Sequence, residues 1–236
     1  MGRAMIIDAV IPALDEEEAL PGVLAELAGT PVRAVVVVDN GSRDRTVERA
    51  RAAGAEVVAE AHRGYGAACL AGIAACRAHA PRADVLVFLD ADGSDDASEL
   101  AALVAPIAEG RADFVIGSRV LPGAHVERGA LSPQARAGNL VATLLIRALY
   151  GAHHSDLGPF RAIRFDALDK LEMRDLDWGW TAEMQVKAIR RGLRLAEVPT
   201  SWRRRRGGRS KISGTVRGIL GAGYKILTTI ARHAIG

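Results

Sequence analysis

Apolar runs alternate with helical stretches along the first half of the chain. Met5 to Pro12 is apolar, and after the acidic group Asp15-Glu16-Glu17-Glu18 apolar positions recur at helical spacing from Leu20 to Leu27. Val35-Val36-Val37-Val38 is β-branched at every position, which predicts a strand covered on both faces. It runs into Asp39-Asn40-Gly41-Ser42, a turn sequence suited to capping a helix from Asp44 to Ala53. A third strand is predicted over Ala55 to Ala59, a small-residue helix over Tyr65 to Ala78, and a fourth strand over Ala83 to Leu89. A helix over Ala97 to Ala108 and a fifth strand over Asp113 to Gly117 follow. This alternation predicts an α/β fold: a mostly parallel sheet with helices on both faces.

The 236 residues, 49% of them apolar, suit one globular body with a substantial core and no internal repeat. The N-terminus lacks the apolar segment of a signal peptide, and no 18-residue uncharged apolar span occurs. The expectation is a chain that is neither secreted nor membrane-spanning, placed in the cytoplasm. Cys69 and Cys76, seven apart on one face of a predicted helix, read as two buried thiols, with no disulfide and no zinc site expected.

The chemistry concentrates where the fourth strand meets Asp90-Ala91-Asp92-Gly93. Two carboxylates at i and i+2 leave a strand end on the same side. Like charges so close repel, so the pair makes sense beside a divalent cation carrying a phosphorylated substrate. A solvated turn would also use Asp and Gly. A calcium loop fails on detail, because Asp95 stands where the invariant glycine belongs and Ala101 where the closing glutamate belongs. The carboxyl end of a strand is where open α/β sheets bind ligands, which favours the functional reading. His153-His154, near Asp156, fit a loop better than a metal pair.

Charge is distributed unevenly. The net charge is +3, yet residues 200–236 hold nine of the 31 basic residues and none of the 28 acidic ones. Arg203-Arg204-Arg205-Arg206 and Arg209-Ser210-Lys211 precede a segment, 214–236, with Val216, Ile219, Leu220, Leu227 and Ile230 at helical spacing and Arg217, Lys225 and Arg232 interrupting it. A basic amphipathic helix of this kind suits an anionic membrane surface, the alternative being a helix packed on the domain. Trp202 and the distant Tyr224 are too few for base stacking, which disfavours nucleic acid.

Four segments in order, Ile11-Pro12-Ala13-Leu14-Asp15-Glu16, Val38-Asp39-Asn40-Gly41-Ser42-Arg43-Asp44-Arg45-Thr46, Arg63-Gly64-Tyr65-Gly66-Ala67-Ala68 and Asp90-Ala91-Asp92, resemble the motifs of family-2 glycosyltransferases. Gly117-Ser118-Arg119, Asp156 through Ala162, Glu183, Glu197-Val198-Pro199 and Arg206 through Lys211 extend the likeness toward dolichyl- or polyprenyl-phosphate mannose or glucose synthases over nearly the whole chain. The resemblance implies a GT-A type nucleotide-binding domain over 1–213, a basic C-terminal helix over 214–236, and use of Mg²⁺ or Mn²⁺. It places Pro12, Ala13, Glu16 and Asp39 at the base and ribose. Asp90, Ala91 and Asp92 fall beside the diphosphate, with Asp92 the direct metal ligand and Asp90 its neighbour. Arg63 and the Gly64-Tyr65-Gly66 turn are expected to approach the nucleotide sugar closely, with glycine removing a Cβ clash. The sequence departs from the commonest pattern at Asn40, usually Asp, and at Gly158-Pro159, often Ser-Gly.

Displacing a nucleoside diphosphate from a sugar C1 requires neutralisation of the charge growing on the leaving group, which a metal on Asp92 with basic residues of the tail would provide. One in-line attack inverts the anomeric centre. A polyprenyl phosphate acceptor is already largely anionic at neutral pH and needs cationic positioning rather than a general base. Arg119, Arg161, Arg203, Arg206 and Lys211 are the phosphate-binding candidates. Asp156 and Glu183 are placed to orient them, or to act as base for a hydroxyl acceptor. The expected activity is hexose transfer from UDP-glucose or GDP-mannose to a polyprenyl or dolichyl phosphate, peripheral at the inner face of the cell membrane. A soluble hydroxyl acceptor, a non-catalytic nucleotide-sugar-binding protein and a homo-oligomer stay open. A nucleotidyltransferase is disfavoured because the loop after the first strand is acidic rather than glycine-rich and basic.

Overall fold

The computed structural model describes residues 3–207 and 216–235. Seven strands form one sheet in the order β3-β2-β1-β4-β6-β5-β7. They are β1 (Ile7–Ala13), β2 (Val32–Asp39), β3 (Glu56–Ala59), β4 (Val85–Phe88), β5 (Phe114–Ser118), β6 (Arg161–Arg164) and β7 (Leu195–Pro199). β6 runs antiparallel to both β4 and β5, and every other pairing is parallel. The carboxyl ends of β1, β2 and β4 therefore open on one edge, with Ala13 opposite Asp39 in register.

Period-2 alternation divides the core. Ile11, Val37, Val87 and Val115 face α1 (Leu20–Leu27) and α4 (Leu100–Ala108), meeting Leu20, Leu24, Leu100 and Leu103. Val36, Val38, Phe88 and Ile116 face the other way. There they meet Ile73 of α3 (Tyr65–Ala78), Leu168 of α6 (Phe165–Leu171) and Met184 of α7 (Trp180–Arg190). The valine run of β2 is thus covered on both faces, as its composition predicts. Each fully buried Val or Phe contributes on the order of 1.5–3 kcal/mol through removal of apolar surface from water.

Three local details differ from the sequence reading. β4 ends at Phe88, so a turn rather than the strand itself delivers Asp90 and Asp92. The helix expected from Ala97 opens as a 3₁₀ turn, Ala97–Glu99, with Asp96 Oδ1 accepting from the Ser98 amide at 3.2 Å. Asp44, not the preceding turn, receives the Thr46 amide at 2.9 Å where α2 (Thr46–Ala52) begins.

The last long helices pack together. Ala142 and Ile146 of α5 (Pro133–Tyr150), Ala182 and Val186 of α7, and Ile230 of α8 (Val216–Ile235) form a third buried cluster, with Leu227 against it. The apolar positions of the C-terminal segment that are described therefore meet protein. Val216, Ile219 and Leu220 have side chains outside the described residues. Apolar exposure falls on α5, at Leu140, Val141 and Leu144, and on α8 at Tyr224. Among the described residues no helix is long and apolar enough to cross a membrane.

Candidate active site

Two loops at the carboxyl edge are stitched to each other. Thr46 Oγ1 accepts the Glu16 amide at 2.8 Å, Ser42 Oγ accepts the Asp15 amide at 2.9 Å, and Asp15 Oδ1 accepts the Arg43 amide at 2.7 Å. Asp39 Oδ1 accepts the Ser42 amide at 3.0 Å. Pro12 and Ala13 end β1 beside them, and Glu16 is buried. The base and ribose candidates thus sit together on backbone that hydrogen bonds hold in place.

Asn40 explains its own departure from aspartate. Its Oδ1 accepts the Gly64 amide at 2.8 Å, while its Nδ2 donates to the Glu60 carbonyl at 3.0 Å and the His62 carbonyl at 2.7 Å. An ionised carboxylate can only accept and would leave two carbonyls unmet. Arg63, exposed, donates to the Gly41 carbonyl at 2.9 Å. A Cβ on Gly64 would collide with the Leu176 carbonyl oxygen, and one on Gly66 with the Asp175 carbonyl oxygen, so both glycines allow the 175–177 loop to pack closely.

Asp90, Ala91 and Asp92 face that floor from the turn after β4. Burial and the neighbouring Asp92 charge push the Asp90 carboxyl up to about 7, against the pull of Arg205 and Arg119. Asp92 Oδ1 accepts the Ser94 amide at 2.8 Å, and its Oδ2 lies 3.5 Å from Arg205 Nε. Buried Asp95 accepts the Asp90 amide at 3.1 Å and fixes the turn from beneath. Hard oxygen donors packed at mutual electrostatic cost, with a guanidinium beside them, suit a Mg²⁺- or Mn²⁺-sized cation.

The chain after β7 lies across this edge as an extended strap. The Arg203 amide donates to the Ser94 carbonyl at 2.7 Å and the Arg206 amide to the Asp92 carbonyl at 3.0 Å. The four arginines then diverge. Arg203 pairs with Glu26 at 2.7 Å and also with Asp96, and Arg206 pairs with the same Glu26. Arg204 turns outward to the Arg128 carbonyl, its Nε at 2.9 Å. Arg205 alone reaches the floor, donating from Nη1 and Nη2 to Glu16 Oε1 at 2.7 and 2.8 Å. Sequence reasoning selected Arg203 and Arg206 and passed over Arg205, because nothing in a run of four arginines marks one of them out.

At the flank, Asp156, fully buried, takes Arg119 through Nε at 2.8 Å and Nη2 at 2.6 Å. Arg119 also lies over the Trp202 ring, 4.7 Å from its centroid. Glu197 of β7 holds the loop that carries Asp156, accepting the Ser155 and Asp156 amides at 2.9 and 3.1 Å. Asn139 of α5 donates to the Ser155 carbonyl at 2.9 Å. Asp156 is thus committed to orienting Arg119. Gly158 is needed where it stands, since a Cβ there would lie 2.6 Å from the Gly117 carbonyl oxygen.

The structure separates two candidates, Arg161 and Glu183, from this group. Arg161 is wholly buried on β6, donating to the Gly158 and Thr181 carbonyls, and burial lowers its guanidinium to about 10. It adds positive potential beneath the site without touching its surface. Glu183, on α7, accepts the Arg174 and Asp175 amides at 3.0 and 2.7 Å and pairs with Lys187 at 2.7 Å. It orients a loop and no phosphate-binding arginine. Lys211 lies outside the described residues.

A mixed sheet in this strand order, with its loops gathered at the carboxyl edge, is a GT-A-like nucleotide-binding fold. The chain belongs to glycosyl transferase family 2, whose domain matches residues 8–172. It is 39% identical over 213 residues to an uncharacterized glycosyltransferase of Mycobacterium bovis, covering 90% of this chain and 92% of that one. It is 34% identical over 221 residues to the undecaprenyl-phosphate mannosyltransferase of Micrococcus luteus, covering 89% and 88%. Glucosyl-3-phosphoglycerate synthase from Mycobacterium tuberculosis, in complex with Mn²⁺, UDP-glucose and phosphoglyceric acid, superposes with a TM-score of 0.76 at 23% identity, covering 98% of this chain and 80% of that one.

Proposed function

We propose that the protein transfers a hexose, with inversion, from a nucleoside-diphosphate sugar to a polyprenyl phosphate at a membrane surface. The observation that carries this reading is the junction of α5 with the arginine flank. Asn139 binds the loop that holds Asp156, and Asp156 aims Arg119. The next residue of α5, Leu140, begins an apolar face with Val141 and Leu144, each more than half exposed. An acceptor with a phosphate head and a long isoprenoid chain has the same two-part chemistry at the same junction. The Micrococcus luteus relative, a mannosyltransferase acting on undecaprenyl phosphate by its name, supports the acceptor class.

In this reading Glu16 and Asp39 hold the base and ribose, and Asp90 and Asp92 hold a divalent cation. Bound there, the cation would supply Lewis-acid stabilisation of the departing diphosphate. Arg205 adds charge on the same side once Glu16 turns to the nucleotide. Arg119 receives the acceptor phosphate, whose second ionisation near pH 6 leaves it nucleophilic without a protein base. α5, rather than α8, meets the lipid.

The test is incubation of the whole protein with Mn²⁺ and radiolabelled UDP-glucose or GDP-mannose. One arm offers polyprenyl phosphate in anionic vesicles, the other a soluble phosphorylated acceptor. Label moving into a mild-acid-labile lipid fraction is the expected result. Transfer only to the soluble acceptor would overturn the lipid assignment, and no turnover of any donor would overturn the activity.

A further inference from the structure

At the edge of the sheet opposite the aspartates, Asp8 of β1 meets the end of α3. A carboxylate oxygen of Asp8, Cys76 Sγ and a His79 ring nitrogen all lie within 4.8 Å of one another. Cys76 closes the last turn of α3 and His79 follows the helix, so the pair is spaced i, i+3 around its C-terminus. Asp8 and Cys76 are fully buried, while the His79 side chain is 21% exposed and leaves an entrance from solvent. About five strand residues, on the order of 16 Å of β1, separate Asp8 from the nucleotide edge at Ala13.

We propose that Asp8, Cys76 and His79 form a second metal site, suited to a borderline dication such as Zn²⁺, with water as the fourth ligand. The donor set is the first reason. A thiolate, an imidazole and a carboxylate match zinc and disfavour the hard Mg²⁺, which prefers oxygen alone. The second is the outer shell. His79 Nδ1 is 2.8 Å from Asp8 Oδ2, while its Nε2 is 2.8 Å from Glu56 Oε2 on β3. A histidine that ligates through one nitrogen almost always gives its other N–H to a carboxylate, and that carboxylate is already in place. Arg33 donates to Asp8 Oδ1 at 2.9 Å and Oδ2 at 2.6 Å, and its Nη2 lies 3.4 Å from His79 Nδ1, so one guanidinium borders both ligands.

Zn²⁺ binding would release the Cys76 thiol proton, because the metal-bound form of cysteine is the thiolate. Both cysteines are free buried thiols in the apolar layer, as the sequence reading has them, but Cys76 alone of the two also has Asp8 and His79 for neighbours, where no zinc site was expected. Closing the ligands to bonding distance draws together β1, the end of α3 and, through Glu56, β3.

The test uses whole protein stripped with chelator, then titrated with Zn²⁺ against a chromophoric indicator in excess Mg²⁺, and separately with Co²⁺. One equivalent of Zn²⁺ and a thiolate-to-cobalt charge-transfer band are expected. Cys76→Ser and His79→Gln should lose both, and Glu56→Gln should bind about 10–100-fold more weakly. Asp92→Asn should bind as the wild type does, which separates this site from the nucleotide site whatever becomes of the proposed activity. Wild-type protein with no tight Zn²⁺ equivalent, or with a Co²⁺ spectrum lacking the thiolate band, would overturn the proposal. The wild-type spectrum decides the matter even where a variant fails to fold.

Discussion

Arg205 places a fixed cation 3.5 Å from Asp92 and in direct contact with Glu16, so an arriving metal ion competes with a guanidinium. Arg205→Ala is expected to tighten Mn²⁺ binding in the absence of nucleotide several-fold while lowering turnover, as read by calorimetry beside an activity assay. Unchanged metal affinity would show that the guanidinium does not oppose the metal. Asp92→Asn should abolish metal-dependent nucleotide binding and transfer yet leave the melting temperature nearly unchanged. The asparagine Oδ1 still accepts the Ser94 amide, and the repulsion with Asp90 is relieved. Wild-type turnover in Asp92→Asn would sink the metal assignment. Asp90 and Asp92 stood out in the sequence by their i, i+2 spacing after an apolar strand, while Asp39 and Glu16 came from the family resemblance alone. Arg205 was not legible, because four consecutive arginines look alike until the backbone phase is known. Asn139 escaped, and Glu197 was seen only as part of a motif, because both act by holding the loop behind Asp156.

At the scale of elements, the β5–β7 pairing begins at an ion pair that makes stability depend on acid. Arg194 hydrogen bonds hold the Asp113 carboxyl down at about 2 against burial, with Nη2 2.7 Å from Oδ1. A carboxyl whose folded pKa lies below its unfolded value of 3.8 contributes stability above that value and loses it as pH falls toward 2. Arg194 is half exposed, so solvent screening keeps the contribution small. Urea midpoints should show Asp113→Asn less stable than wild type near neutrality, and the gap should close as the pH is lowered below about 4. A gap that persists in acid would place the effect in packing rather than charge. The first five strands and four helices could be read from the alternation of short apolar runs with helical stretches. β6 could not, since its four residues begin and end in arginine. The apolar stripe of the last helix was visible, but its partner was not. Periodicity identifies a face that seeks cover, and only the third cluster shows that α5 and α7 cover it.

For the whole molecule, the proposed activity requires a membrane contact, for which the exposed apolar surface on α5 and the basic strap are the candidates. Replacing Leu140, Val141 and Leu144 with serine should reduce sedimentation with anionic vesicles and activity on a long-chain acceptor, while nucleotide binding persists. Removing residues 216–235 should instead lower the melting temperature, because Ile230 is fully buried against α5 and α7. Sedimentation unchanged by the triple substitution would return the lipid contact to another face. Salt should weaken vesicle association as the basic residues are screened.

The position of β6 has a consequence for how the chain is made. β4 and β5 are consecutive in sequence but not neighbours in space, and the gap between them is filled by a strand that follows both. β5 pairs only with β6 and β7, so a nascent chain ending before β6 carries an apolar strand with no hydrogen-bonding partner on either side. Residues 114–118 therefore wait for about forty-three more residues before the sheet can close, which corresponds to several seconds of synthesis. During that interval the fragment presents a ready template for aggregation. Ribosome-bound chains truncated before β6 should be captured by holdase chaperones and digested within β5, and chains extended past β7 should not.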